Sequence, residues 1–558
     1  MQKATLLFAL LCLLIPRAHS QPLTVGLIQA DQNRSEIGYT LFAPMRSTET
    51  YLVDNCGRVV NQWSSGRKPG LSTYLTPDGN LLRAQFEPNN PTFFSGGGRG
   101  GRLQMFNWSG DLIWDYLLSD PWEMQHHDLI PLPNGNVLTL VWSLRTAPEC
   151  IAAGRKPFQI NDNELWSEKL VELRPIFPDS AEVVWEWDAW DHLIQDFDST
   201  QANYGPVRDH PELLDINVLG LSYGGRDWLH ANGINYNPEL DQILMSIRHT
   251  NEIYIIDHST TTAEAAGHTG GRAGKGGDFL FRWGSDVVFR RDYYVDRDLH
   301  GQHNPTWIPE GRPDAGKIMV FNNGCQRPSG VYSEVLVLDP IVEADGNYQL
   351  LPDSTYYPDV PYRAWSAPVP EDFFAKYVSG AQMLPNGNFL ISQGTDGRLI
   401  EVTPDNEIVW EYINPDAGSV IVAQGDTLPP GTSTYYLSNP LFRAFRYFAD
   451  DPALVGKSLV AGAPIEPNPA PSDCRPVSAT PTAPGELPRI YPNPATQRVH
   501  VAFPQPQTRS YRVGNALGQI WRQGTTEPGR LDLEVADWPA GMYWIQITGF
   551  APTRLLVQ

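Results

Sequence analysis

Leu132-Pro133-Asn134-Gly135-Asn136-Val137-Leu138 decides how this chain is read. An apolar residue and a proline lead into Asn-Gly, a pair that tolerates the positive φ angles of a tight hairpin, and an apolar strand leaves on the far side. The arrangement returns as Leu75-Thr76-Pro77-Asp78-Gly79-Asn80-Leu81 and as Leu384-Pro385-Asn386-Gly387-Asn388-Phe389-Leu390. Looser copies stand at Tyr236-Asn237-Pro238 and Trp307-Ile308-Pro309. A second mark closes each unit: a turn, then a strand ending in tryptophan. It appears at Trp63, at Trp114, at Trp185 with Trp187, at Trp283 and at Trp410. A degenerate copy near Tyr348-Gln349-Leu350 brings the count to about six units.

Four short antiparallel strands, repeated about six times between residues 37 and 460, predict an all-β fold, a six-bladed β-propeller. The anchor prolines 77, 133, 238, 309 and 385 are spaced 56, 105, 71 and 76 residues apart. A solenoid keeps a stricter period, whereas a propeller takes long insertions in its loops. The longest insertion, Asp188 to Arg226, either covers the mouth of the central channel or packs as a surface loop.

The first twenty residues read as a secretory signal: Lys3, an apolar run from Ala4 to Ile15, then Ala18-His19-Ser20 before a cleavage point at Gln21. Residues 21–36 form an N-terminal leader. The apolar run is too short to span a membrane well, and no later stretch reaches its length. The chain carries 41 Lys and Arg against 63 Asp and Glu, a net charge of -22, which argues against nucleic-acid binding. Cys56, Cys150, Cys325 and Cys474 remain after cleavage. They permit two disulfides whose pairing the sequence does not fix, and they lack the close spacing of a zinc site. Residues 461–488, rich in proline and alanine, read as an extended linker. Residues 489–558 turn β-rich again and predict a small C-terminal β-sandwich.

Six residues before Pro133, Pro238 and Pro309 stand His127, Asn232 and His303. The first strand of each propeller blade lines the central channel, so equivalent positions converge on the axis. His230, two residues before Asn232, falls on the same side of a strand. Arg248, closing the run Ile243 to Ile247, can swing toward them. A cation, imidazoles and an amide facing one place suit an oxyanion; the bland alternative is a hydrogen-bonded sheet edge.

Gln125-His126-His127-Asp128, Asp227-Trp228-Leu229-His230-Ala231-Asn232, Ser246-Ile247-Arg248-His249 and Gly301-Gln302-His303 resemble, in this order, the bacterial arylsulfate sulfotransferases. The resemblance covers residues 37 to 450. It implies transfer of a sulfuryl group from an aryl sulfate to a phenolic acceptor, with His303 taking the group covalently. It further implies that His127, His230, Asn232 and Arg248 hold the sulfate oxygens, and that no cofactor or metal is required. The chain departs from the family pattern in lacking a separate N-terminal sandwich domain and in its loop lengths, so substrate choice does not carry over. The tail, with Tyr491-Pro492-Asn493-Pro494-Ala495, Asn515-Ala516-Leu517-Gly518-Gln519 and Pro539-Ala540-Gly541-Met542-Tyr543, resembles the C-terminal sorting domain of type IX secretion. That resemblance implies recognition by the secretion machinery and a secreted or surface-attached product.

Two other readings compete. One is a non-catalytic extracellular propeller that binds a ligand or carbohydrate. The other is a metal-dependent hydrolase built from His127, His230 and His303, against which Arg248 argues. Gly270 to Gly277 is glycine-rich but precedes a strand, so it reads as a hairpin loop rather than a nucleotide-binding one. Arg327 is either a second anion ligand or a loop arginine with a surface partner.

Overall fold

The computed structural model describes residues 23–89, 96–218, 225–285, 298–351, 355–431, 436–471, 474, 489–491, 495–502, 508–515, 520–547 and 553–557. The expected signal sequence, most of the linker's second half and the Ala516-to-Gln519 turn lie outside them. No helix among the described residues is long and apolar enough to cross a membrane.

Six antiparallel sheets account for the repeat. The first pairs Leu441–Tyr447 with Tyr39–Pro44, Glu49–Asp54 and Val59–Ser64, so the end of the repeat region supplies the innermost strand to its beginning. The second runs Pro69–Leu75, Leu81–Phe86, Gly101–Phe106, Leu112–Leu117. The third runs Glu123–Pro131, Val137–Thr146, Glu164–Ile176, Ser180–Asp188, and the fourth Ala231–Asn237, Gln242–Ile247, Glu252–Asp257, Phe281–Trp283. The fifth runs His303–Trp307, Ile318–Asn322, Glu334–Leu338, Arg363–Trp365. The sixth runs Gly380–Met383, Phe389–Gln393, Arg398–Val402, Ile408–Ile413 and adds Gly26–Ala30 at its outer edge. Each innermost strand touches the innermost strand of the next sheet, and the sixth touches the first. The arrangement is all-β and propeller-like.

Both sequence marks have physical causes here. In the Pro-Asn-Gly-Asn turn, Leu132 N–H donates to Asn136 O (2.9 Å) and Gly135 N–H to Leu132 O (3.0 Å), with Gly135 at φ 85°. Only glycine meets that geometry without strain. The closing tryptophans join one sheet to the next. Indole Nε1 donates from Trp63 to Asn107 O (2.9 Å), from Trp114 to Ser180 O, Trp187 to Gly277 O, Trp283 to Pro358 O and Trp410 to Asn55 O (all 2.8 Å). Four of the acceptors lie in the connection between the third and fourth strands of the following sheet, and Ser180 opens the fourth strand itself. A buried aromatic body with one polar tip suits such a seam, because the indole N–H must find an acceptor when buried.

The structure refines several sequence readings. The fifth sheet closes on Arg363–Trp365 rather than near Tyr348, because residues 339 to 362 form a long connection before the strand. The stretch expected as a leader contributes the strand Gly26–Ala30, paired with Ile408–Ile413. The sole disulfide among the described residues joins Cys56 to Cys474, which ties the middle of the expected linker to the first sheet; Cys150 and Cys325 are buried and free. The 188–226 insertion packs Leu193, Leu214 and Ile216 into one hydrophobic cluster with Trp187, Trp228 and Leu229. Arg327 pairs with Glu334 and stacks over Tyr332, so it has a carboxylate partner, though a largely buried one rather than one at the surface.

A second compact unit takes in residues 478–558 with residues 449–458. Its strands form two sheets, one from Arg489–Tyr491, Arg498–Ala502 and Arg530–Glu534, the other from Ile520–Thr525, Ser510–Asn515, Gly541–Ile547 and Thr553–Val557. Val499, Val501, Leu531 and Leu533 from the first share a core with Val513, Ile545, Ile547 and Leu555 from the second.

Candidate active site

The innermost strands are not regular. In five of the six, pairing with the second strand skips residues, and the skipped stretches are Gly70–Ser72, His127–Asp128, Asn232, Asn304–Pro305 and Phe442–Arg443. Such bulges bend the strand and re-aim side chains. Leu71, His127, His230 and Asn304 take positive φ at these breaks. Arg443 and Asp128, both on bulges, form a buried ion pair, and Asp128 also accepts from Ile234 N–H (3.0 Å) and Tyr74 Oη (3.1 Å). This pair locks the first four sheets together beneath the site.

Above it lies a cavity of about 320 Å³ lined by His127, His230, Arg248 and His303, by Gly97 and Gly98, and by Met45, Leu71, Tyr377, Val378 and Tyr436. Four of the five residues expected from the sequence therefore meet. Asn232 does not line the cavity. Its bulge turns it away, and its Nδ2 donates to Gln302 O (2.7 Å), so it braces the strand carrying His303 instead of facing a ligand.

The hydrogen-bond pattern decides which nitrogen each imidazole offers. Asn323 Nδ2 donates to Ala375 O (2.7 Å) and Val378 O (3.0 Å), which fixes the amide with Oδ1 toward His303. His303 Nδ1 stands 2.7 Å from that Oδ1 and 3.1 Å from Gly301 O. Both are acceptors only, so Nδ1 carries the hydrogen and Nε2 offers its lone pair to the cavity. Burial, and then the neighbouring Arg248 cation, lower the His303 pKa to about 3. The ring is neutral at physiological pH.

His127 follows the same logic through one more ring. Glu168 Oε1 accepts from Ala231 N–H (2.9 Å) and its Oε2 lies 2.8 Å from His126 Nε2. His126, stacked on Trp142 at 4.0 Å, turns its Nδ1 to His127 Nδ1 at 2.9 Å. With Glu168 a carboxylate, His126 Nε2 bears hydrogen, His126 Nδ1 accepts, and His127 Nδ1 donates. His127 Nε2 is then a lone pair as well, which makes this residue an acceptor rather than a grip on an anionic oxygen. Its pKa falls well below the ordinary value through burial and the adjoining His230. Gly98, at φ 84°, lets the backbone come so close that a Cβ there would sit 2.1 Å from the His127 ring.

His230 differs: its Nδ1 bonds the Asp227 carboxylate. Burial would raise the Asp227 pKa, but His230 outweighs it and holds the carboxyl below its usual range. His249, stacked on His230 at 4.8 Å, donates from Nδ1 to the carbonyls of Asp227 (3.0 Å) and Trp228 (3.2 Å). Burial, then His230, bring its pKa to about 3. Arg248 is 9% exposed, stacks over Tyr377 at 5.3 Å, and has no carboxylate within 4.0 Å among the described residues. The site thus holds one fixed cation, whose Nη2 also reaches Cys325 Sγ at 3.9 Å, one carboxylate-backed imidazole, and two imidazoles offering lone pairs.

Asn323, Asp227, Glu168, Tyr377 and Tyr436 were not singled out from the sequence. Asp227 and the His126 neighbour of Glu168 fall inside recognisable motifs, but Asn323 and the tyrosines lie in loops outside the repeat register.

Fold and site together define a propeller-like β protein with an anion-ready imidazole–guanidinium cavity. The arylsulfotransferase (ASST) family profile matches residues 32–334, more than half the chain, and the chain belongs to that family. The secretion system C-terminal sorting domain matches residues 489–553, which marks the protein for export to the surface or the medium through the secretion machinery. No curated protein sequence matches the chain. Among solved structures it is similar to a protein of unknown function from Bacteroides caccae, at 12% identity over 69% of this chain and 97% of that one, TM-score 0.35. It is also similar to virginiamycin B lyase from Staphylococcus aureus, at 9% identity over 70% of this chain and 88% of the other, TM-score 0.30. At those scores neither likeness bears on fold or activity.

Proposed function

We propose that the protein transfers a sulfuryl group from an aryl sulfate to a phenolic acceptor through a sulfated His303, on a six-bladed β-propeller followed by a C-terminal β-sandwich. Family membership supports an arylsulfotransferase-like activity. The observation that carries the mechanism is the Asn323–His303 contact, which leaves a neutral nitrogen lone pair facing the cavity beside Arg248.

In the first half-reaction His303 Nε2 attacks sulfur, an S–N bond forms and the S–O bond to the aryl group breaks. Sulfuryl transfer, like phosphoryl transfer, spreads charge over three oxygens, so the protein's work is electrostatic. Arg248 supplies that charge with forked donors. His230, backed by Asp227, gives its proton to the departing phenolate and takes one back from the incoming phenol, whose oxygen then attacks sulfur as the S–N bond breaks. His127 accepts a hydrogen bond from the phenol hydroxyl. Tyr377 and Tyr436, stacked 5.8 Å apart, offer aromatic surface to the ring. A neutral imidazole nucleophile needs no nucleotide and no metal.

Intact mass of the full chain after mixing with an aryl sulfate and no acceptor tests this. A sulfuryl adduct is expected on the parent and not on His303→Ala, with discharge by added phenol. Phenol release with no adduct on either protein would refute the covalent route. One second reading has support: Asp227, His230 and His249 can converge on a metal ion. It predicts turnover that a chelator abolishes.

A further inference from the structure

Away from the His303 cavity, two imidazoles, one of them 86 residues distant in sequence, meet at one carboxylate oxygen. His192 ends the short 3-10 turn Ala189–His192 that opens the 188–226 insertion. Asp278 ends the glycine-rich loop 270–277, and His268 follows the helix Thr262–Ala265. His192 Nδ1 lies 2.7 Å, and His268 Nδ1 2.8 Å, from the same Asp278 Oδ1. We propose that His192, His268 and Asp278 form a binding site for a divalent transition metal of the zinc class.

The donor set and its supports argue for this. The other nitrogen of His192, Nε2, donates to Ala265 O at 2.8 Å. A ligating histidine is ordinarily held that way, with the far N–H on a backbone carbonyl and the near lone pair free for the metal. The His192 ring is fully buried and stacked on Trp187 at 5.6 Å and 5° between planes, so its direction is set before any ligand arrives. Gly277 permits the loop's approach: a Cβ there would lie 2.6 Å from His192 Nε2.

With Nε2 bearing the hydrogen, His192 Nδ1 and Asp278 Oδ1 face each other as two lone pairs. A cation must lie between them, either a proton or a metal. Among the described residues no lysine or arginine nitrogen comes within 4.0 Å of the Asp278 carboxylate, so its charge is otherwise met only by the two imidazoles. One divalent ion satisfies all three donors at once. Two nitrogens and one carboxylate oxygen with room for water suit zinc, whose bonds to such ligands are about 2.0–2.1 Å. The edge of that tetrahedron is about 3.3 Å, so the ligands must part by about half an ångström. His268, 60% exposed, supplies the freedom to do so and the entry path.

An ion here would clamp the insertion to the glycine-rich loop, which already meet where Phe279 N–H donates to Glu212 O at 3.0 Å. Binding to the folded chain alone raises thermal stability.

The test uses the full chain stripped with chelator, then titrated with zinc by calorimetry and with cobalt by visible absorption. One equivalent should bind, raise the thermal midpoint and give the d–d bands of nitrogen–oxygen coordination. His268→Ala, which removes an exposed side chain and leaves the fold intact, should weaken binding at least tenfold. Asp278→Asn should do the same, and His249→Ala should leave the metal affinity unchanged. Unaltered binding in His268→Ala, or loss in His249→Ala instead, would overturn the site, the latter by placing the ion beside Asp227 and His230. No binding of either metal by the parent would overturn it as well.

Discussion

The neutral amide of Asn323 is the feature on which the proposed nucleophile, His303, depends, and replacing it by aspartate makes that dependence measurable. In the parent, Asn323 Oδ1 orients His303 without stabilising its protonated form enough to offset burial and Arg248, and the pKa stays at about 3. Asn323→Asp puts a carboxylate on the same Nδ1–H. A charge pair about 4 Å apart gains about 4 kcal/mol at an effective dielectric of 20, or about three pKa units. The His303 pKa then rises to about 6. The sign is unambiguous: below that value the imidazolium has no lone pair. The neutral fraction should drop about tenfold between pH 7 and pH 5 in the variant, and hardly at all in the parent. The assay is the single-turnover burst of a chromogenic phenol from its sulfate, read at both pH values. The variant also forfeits the two amide hydrogen bonds to Ala375 O and Val378 O, a stability loss of about 1–3 kcal/mol each that the thermal midpoint reports separately. A burst rate equally flat in both proteins, with the variant folded, would mean that Asn323 does not hold Nδ1 and would sink the tautomer assignment.

Three further outcomes follow from the same contacts. His249 and His303, with pKa values of about 3, are neutral when folded and must take protons on unfolding in acid; their depressed values give stability present above the ordinary histidine range and lost as pH falls from about 6.5 toward 3, by up to about 1.4 kcal/mol per pH unit each, which calorimetry across that window checks. Gly98→Ala, which combines a left-handed φ with a Cβ only 2.1 Å from the His127 ring, should displace that ring and cut the burst rate at least tenfold, and a parent-like rate would show that His127 is not needed where it stands. Trp114→Phe removes an indole donor to Ser180 O, whereas Trp365 Nε1 finds no acceptor among the described residues, so Trp114→Phe should lower the unfolding free energy from chemical denaturation by about 1 kcal/mol more than Trp365→Phe does.

The repeat was legible because its cause is local. The Asn-Gly turns need positive φ within a few residues, and each closing tryptophan stands at a fixed place in its own unit, although its acceptor lies 44 or more residues away; both marks recur with each unit. The fifth tryptophan escaped because a long connection separates Trp365 from its sheet, so no turn signal adjoins it. The strand Gly26–Ala30 escaped for a different reason: it pairs with Ile408–Ile413, nearly the whole chain away. Pairings so remote leave no trace in a local pattern, and the same holds for Cys56 with Cys474.

The site was legible in part for a reason that also explains its errors. Counting back from the anchor prolines found His127 and His303 because the bulges fall at the same register in successive sheets. The same count put Asn232 at the axis, and alternation added His230 to its side; His230 lines the cavity and Asn232 does not, because alternation holds only along an unbroken strand. His230 takes φ 57° and Asn232 is itself the skipped residue, so the two-residue spacing no longer means a shared face. The breaks are where the chemistry sits: His127, Asp128 and Arg443 all lie on skipped stretches, and His303 directly precedes one. A propeller's innermost strands, left regular, would turn alternate side chains flatly into the axis. Bulges lift imidazoles out of that row and turn their Nδ1 atoms toward Asn323, His126 and Asp227, which leaves Nε2 for the cavity. Asn323 and Asp227, which set two of the tautomers, come from loops, and Glu168, which acts on His127 through His126, comes from a third strand, where counting back from the anchor prolines does not reach. A search keyed to the repeat therefore finds imidazoles that line the cavity and misses the groups that hold them.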